Sequence, residues 1–211
     1  MRATVLFSAL AIGLASCGMI GSGGSGSGSG SLSSGARASG PVCGSDDIIG
    51  QPVPRVDGPG ECGIRRPVLV TSVNGVALSP GATVNCDTAQ ALNTWVAWAA
   101  KPEVARAGER LASMRVAASY SCRTRNNRPG ARLSEHGRGN AIDISALTFE
   151  GGDGVTISGD WRDPRFGPML QALHQGACGM FGTTLGPGSD GHHENHVHYD
   201  VARHSNGPYC R

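Results

Sequence analysis

Aromatic residues are scarce in this chain, with four Phe, three Tyr and three Trp among 211 residues, and Lys101 is its single lysine. The arginine-rich stretch from Arg123 to Arg138 has no interleaved aromatics, and no nucleic-acid partner is expected. No apolar stretch is long enough to span a bilayer; the run over residues 3–14 is about a dozen residues, against the roughly 20 of a spanning helix. No two cysteines are spaced as Cys-x-x-Cys, which argues against a thiolate zinc site. Internal repeats are missing too, and the length allows one core-bearing domain. A formal net charge of +2 selects no partner by itself.

What is present begins with a leader. Arg2, the apolar run and then Leu14-Ala15-Ser16-Cys17 have the layout of a secretory signal. Leu-Ala-Ser-Cys resembles the bacterial lipobox, after which the cysteine is acylated and becomes the mature N-terminus. Residues 1–16 are therefore read as a lipoprotein signal peptide and Cys17 as the lipidation site. Residues 17–41 are dominated by glycine and serine and should form a flexible tether. The folded domain is expected over residues 42–211. The location implied is the bacterial cell envelope, facing the periplasm, with the membrane engaged through the N-terminal lipid only.

Setting Cys17 aside leaves Cys43, Cys62, Cys86, Cys122, Cys178 and Cys210. An even set scattered through an exported domain points to three disulfides. Sequence alone does not fix connectivity; pairing neighbours gives Cys43–Cys62, Cys86–Cys122 and Cys178–Cys210.

Residues 68–78, VLVTSVNGVAL, hold two β-favouring runs about Asn74-Gly75, a strong hairpin signal. Asp87 is placed to cap a helix running to about Ala100, with Ala91, Leu92, Trp95, Val96 and Trp98 on its apolar face. Residues 111–119 read as a strand. Alternation over residues 140–145 puts Ala141, Asp143 and Ser145 on one face and Ile142 and Ile144 on the other. A helix over residues 165–177 and strands over 181–185 and 196–201 complete the reading. The fold class implied is α+β, a small, mainly antiparallel sheet packed with helices.

The chemistry concentrates in two stretches. HHENHVHYD, residues 192–200, gathers four histidines and two carboxylates. Period-two alternation puts Glu194, His196, His198 and Asp200 on one face, towards a cleft, with Val197 and Tyr199 towards the core. His193 to His196 is one residue short of the helical HExxH spacing. Upstream, RLSEHGRGNAIDIS sets His136 seven residues before Asp143, with Gly137 and Gly139 letting the chain fold tightly between them. A histidine on such a turn, an aspartate on the next strand and a histidine on a neighbouring strand supply two nitrogens and one oxygen. Three protein ligands and an open position are the pattern of catalytic zinc. A lone histidine is more often a surface residue; the combination is specific. Five arginines also crowd between Arg123 and Arg138, and guanidinium groups grip carboxylates in a bidentate way.

SEHGRGNAIDI together with HVHYD resembles the zinc peptidase superfamily of the D-alanyl-D-alanine peptidases, lysostaphin and hedgehog domains. Ser134, His136, Gly139, Ala141 and Asp143 each match its S-x-H-x-x-G-x-A-x-D pattern. CGIRRPV, SYSCRTRN, RLSEHGRGNAIDI and FGTTLGPGSDGHHENHVHYDVA resemble more closely the bacterial extensin-like C-terminal domain, over nearly the whole folded part. There is no Ser-Pro-Pro-Pro repeat, so no hydroxyproline-rich fibre is implied.

The resemblance implies His136, Asp143 and His198 as ligands of one zinc per chain. It implies His196 as general base and Arg123 as the group that binds a carboxylate or polarised carbonyl. The peptidases usually carry their catalytic acid three residues before the last ligand, where this chain has Asn195; His196 or Glu194 is left as base. A second ligand register, His193 with His196, remains open. Tyr120, Ser134, His193 and Asp200 stand as residues supporting the ligands or touching substrate. The implied function is an envelope-anchored zinc-dependent amide or peptide hydrolase acting on peptidoglycan stem peptides or another periplasmic peptide. The alternative is a non-catalytic cell-wall or peptide binding module on the same hedgehog-like fold.

Overall fold

A computed structural model describes residues 39–211. The leader over residues 1–16, Cys17 and nearly all of the tether fall outside the described residues, and the first strand already begins at Gly40. In chain order the strands are β1 (Gly40–Val42), β2 (Ser45–Pro52), β3 (Val56–Asp57), β4 (Gly63–Ile64), β5 (Val68–Val73) and β6 (Val76–Val84). They continue as β7 (Leu111–Ala118), β8 (Ala141–Phe149), β9 (Gly154–Thr156), β10 (Thr183–Leu185), β11 (Val197–Asp200) and β12 (Tyr209–Cys210). The helices are α1 (Cys86–Trp95), α2 (Lys101–Arg106), α3 (Ile157–Asp160) and α4 (Gly167–Gln175), with a π-helical turn over Val96–Ala100 joining the first two.

Ten strands form one sheet in the order β1-β2-β5-β6-β7-β8-β11-β10-β12, with β9 on β8, while β3 and β4 pair separately. The fold is mixed α and β with a mainly antiparallel sheet, as expected, but the sheet is not small. Two pairings are parallel, β6 with β7 and β10 with β12. The first needs a crossover, which α1, the π turn and α2 supply. The hairpin between β5 and β6 turns on Asn74 (φ 47°) and Gly75 (φ 76°), the positive pair a type I′ turn requires.

Two features of the first helix differ from expectation. Its cap is Asn85, whose side chain accepts from the Thr88 amide at 2.9 Å, so Asp87 lies inside the first turn. There its carboxylate favours the positive end of the helix dipole. Trp98 is not core but 76% exposed. The π turn inserts an extra residue per turn, which rotates Trp98 out while Val96, Ala99 and Ala100 stay buried. Trp95, a residue earlier than the turn, is the centre of the core. It is fully buried, donates from Nε1 to the Leu173 carbonyl at 2.8 Å and meets Tyr199 edge-on at 5.1 Å.

The disulfides are Cys43–Cys86, Cys62–Cys122 and Cys178–Cys210. Only the last agrees with pairing by sequence neighbours. The first two spans interleave because the sheet order carries the chain away from β4 and back, so Cys62 meets Cys122 across a separation of 60 residues. Cys62–Cys122 also lies beneath the turn that carries His136: a Cβ at Gly137 would stand 3.3 Å from the Cys62 sulfur.

The pairing of β11 with β8 positions the site. Val197 faces Ile144, Tyr199 faces Ile142 and His198 faces Asp143. The apolar pairs share the core side, so strand alternation sends the histidine and the aspartate together to the opposite side.

Candidate metal centre

His136 sits on a single 3-10 turn, Glu135–Arg138. Ser134 caps the turn, its Oγ accepting from the His136 amide at 3.4 Å. Gly139 ends it in the left-handed region (φ 69°), and a Cβ there would collide with Ile64 at 2.3 Å. Glycine is required on both counts. The Gly139 carbonyl accepts from the Asn85 amide and the Thr88 hydroxyl, which ties the turn to the start of α1.

Three ligand atoms converge above β8 and β11. His136 Nε2 lies 3.1 Å from Asp143 Oδ1 and 3.1 Å from His198 Nδ1, and His198 Nδ1 lies 2.8 Å from the same Asp143 oxygen. All three residues are buried. Each imidazole is held by its other nitrogen: His136 Nδ1 donates to the Ser119 carbonyl at 2.6 Å, and His198 Nε2 donates to Asp200 at 3.0 Å. Both tautomers are thereby fixed with the remaining nitrogen aimed inward, the arrangement that orients metal-binding histidines. Two ring nitrogens and a carboxylate oxygen this close need positive charge between them, a proton or a cation. The group can hold a metal ion.

The electrostatics agree. Burial opposes ionisation of Asp143, yet the neighbouring His136 and His198 hold its carboxyl far below the usual range. Burial also opposes a charged His198, but Asp143 and Asp200 outweigh it and raise its pKa from 6.5 to about 9. Without metal, the stability owed to raised His198 is complete below about pH 6.5 and lost as pH rises through about 9. That owed to depressed Asp143 is present above about pH 4 and lost as pH falls. The metal-free chain is expected to melt highest between about pH 4 and 6.5 and several degrees lower above pH 9, which thermal melts across that range check. Metal affinity should move the other way and rise with pH, because the His198 proton must leave.

The other residues singled out in the sequence divide. His196 turns Nε2 towards Asp143, 3.7 Å from Oδ2, while Nδ1 donates to the Asn195 side chain at 2.7 Å. Burial pushes its pKa down, more than Asp143 raises it, so the ring is neutral at neutral pH. His193 is buried, hydrogen-bonded to Asp190 at 2.6 Å, with its ring 5.0 Å from that of His196 and 5.6 Å from that of His198. Arg123 and Ser134 line the same cavity of about 290 Å³ as His193, His198 and Asp200. Glu194 does not join them. The strand starts only at Val197, so the alternation does not extend back to it; the side chain is exposed and accepts from the Gly188 amide at 2.9 Å. Tyr120 lies apart as well, with its hydroxyl against Gly58. The sequence reading missed Ser119, Asp190 and His204, the last of which lines the same cavity and is hydrogen-bonded to Thr183 at 2.9 Å. Ser119 acts through its carbonyl, which no side-chain pattern reveals, and Asp190 and His204 lie outside regular strands.

A family model described as Extensin-like protein C-terminus matches residues 44–211. The chain belongs to this family. No curated protein and no solved structure matches it. The matched region of this extensin-like domain contains all three converging residues and all three disulfides except for Cys43. Within it, Asp200 is a positioning residue: it also accepts from the Ala202 amide at 2.9 Å and so fixes the His198 ring rigidly. Asp200→Asn is expected to keep the fold and weaken metal binding about 10–100-fold, as read by competition with a chromophoric chelator.

Proposed function

We propose that this extensin-like domain is a zinc-dependent amide hydrolase of the cell envelope, held there by lipid on Cys17, whose substrates are peptidoglycan stem peptides or another periplasmic peptide. The observation that carries the reading is the convergence of His136 Nε2, Asp143 Oδ1 and His198 Nδ1 beside an open cavity, each histidine with its tautomer fixed. Two nitrogens and one oxygen fit zinc and leave a position open. Zinc held there would supply Lewis acidity to a scissile carbonyl and to the attacking water.

The chain's own residues supply the rest. His196, neutral and aimed at the group, takes the proton of the water and returns it to the departing amine. Arg123 binds negative charge developing on the carbonyl or a terminal carboxylate of the substrate. Asp200 and the Ser119 carbonyl keep both histidines in register. A hedgehog-like or D-alanyl-D-alanine-peptidase-like fold belongs to the same proposal. The disulfides suit an oxidising compartment.

The test is digestion of purified muropeptides by the zinc-loaded chain. New amines and shortened stems, lost in His196→Ala with zinc content unchanged, are expected. Full zinc occupancy with no cleavage of any muropeptide would leave the non-catalytic binding module as the reading.

A further inference from the structure

A second cavity of about 960 Å³ lies beside β4 and the start of α1, with Glu61, Arg65, Arg66, Asn85 and Arg138 in its walls. It does not stand alone. A smaller hollow of about 300 Å³, walled by Arg132 and Leu133, shares Glu61 and Arg138 with it. That hollow in turn shares Arg125 and Glu135 with the cavity at the metal centre. The three hollows share walls in series and make a stepped groove, with Arg65 and Arg66 in its first hollow and His198 and Arg123 in its last.

The charge along it is uneven. Arg138 is paired with Glu61 and, at 3.6 Å, with Glu135; Arg125 reaches Glu135 at 3.8 Å. Arg65, Arg66, Arg132 and Arg123 have no carboxylate partner among the described residues. Free guanidinium groups are thus spaced from the far end of the groove to the metal centre. The same walls hold apolar residues, Val53, Ile64 and Pro67, and the acids Glu61, Asp87 and Glu135. A polymer charged at every unit would set some of its charges against the apolar walls and against Asp87, which has no arginine partner among the described residues. An extended chain with intermittent carboxylates, amides and small apolar side chains meets each feature in turn.

We propose that this groove binds an extended acidic peptide, whose carboxylates are taken by Arg65, Arg66 and Arg132 and whose further end is delivered to the metal centre. The delivery rests on the hydrolase reading; the binding does not. Guanidinium groups hold carboxylates through paired hydrogen bonds, so the arginines set both affinity and register.

The experiment is fluorescence anisotropy of a short labelled peptide of alternating Glu and Ala, titrated with the full chain at low and near-physiological salt. Saturable binding is expected, weaker at the higher salt. Arg65→Ala with Arg66→Ala should weaken it about tenfold and Arg132→Ala about threefold, with the glutamine variants behaving alike. A Lys-Ala peptide should not bind, and inorganic polyphosphate should compete poorly. Variants that bind as the parent does, or polyphosphate bound in preference to the peptide, overturn the proposal. Repeating the titration after metal removal separates the two readings. Peptide binding without zinc supports the groove whatever the fate of the hydrolase. No peptide binding by a chain that holds zinc and cleaves muropeptides refutes the groove alone.

Discussion

On the proposed function, the parent chain is expected to hold about one zinc and the His198→Ala chain no stoichiometric zinc. The substitution deletes one of three converging donors, the one paired in the sheet directly opposite Asp143. Two donors remain, His136 and Asp143, on different elements. The loss in affinity should exceed about 100-fold, beyond the range for removing a supporting partner such as Asp200. Elemental analysis after dialysis reads the outcome, with circular dichroism showing that the fold persists. Stoichiometric zinc in His198→Ala would remove His198 from the ligand set and the hydrolase reading with it.

Trp95→Ala is expected to cost about 3–5 kcal/mol of stability, the range for truncating a large buried aromatic. The side chain is fully buried, packs against Tyr199 and satisfies the Leu173 carbonyl, so its loss leaves both a void and an unpaired acceptor. Tyr199 stands between His198 and Asp200 on β11, and zinc affinity should fall together with stability. Trp98→Ala is the control. At 76% exposure it should change stability by less than about 0.5 kcal/mol. Denaturant midpoints for the two variants and the parent decide the matter.

Those two tryptophans, three residues apart, show where the sequence was legible and where it was not. Period-two alternation is local, so Ile142-Asp143-Ile144 and Val197-His198-Tyr199 each announced which side faced the core. Their mutual register, which sets His198 against Asp143, came with the fold. Asn74-Gly75 announced its hairpin because only a few residues accept that turn. The helical face failed at Trp98 because a π turn changes the period without a marker in composition. Disulfide partners failed because the crossover between β6 and β7 separates sequence neighbours in space. Glu194 failed because alternation was extended through residues that form a turn. The arginine cluster was visible as a count, but its arrangement along a groove depends on β4 and α1, distant in sequence.

Asp143 and His198 lie on β8 and β11, each of which has hydrogen-bonded strands on both sides. Amides in such interior strands exchange with solvent through openings close in free energy to complete unfolding. Two of the three donors are therefore carried by the slowest-moving part of the chain, while His136 rides on a one-turn segment tied down at both ends. Metal does not have to organise the domain, as it does in a zinc finger. Removing it should leave hydrogen exchange on β8 and β11 nearly as slow as before and quicken it chiefly around residues 134–139.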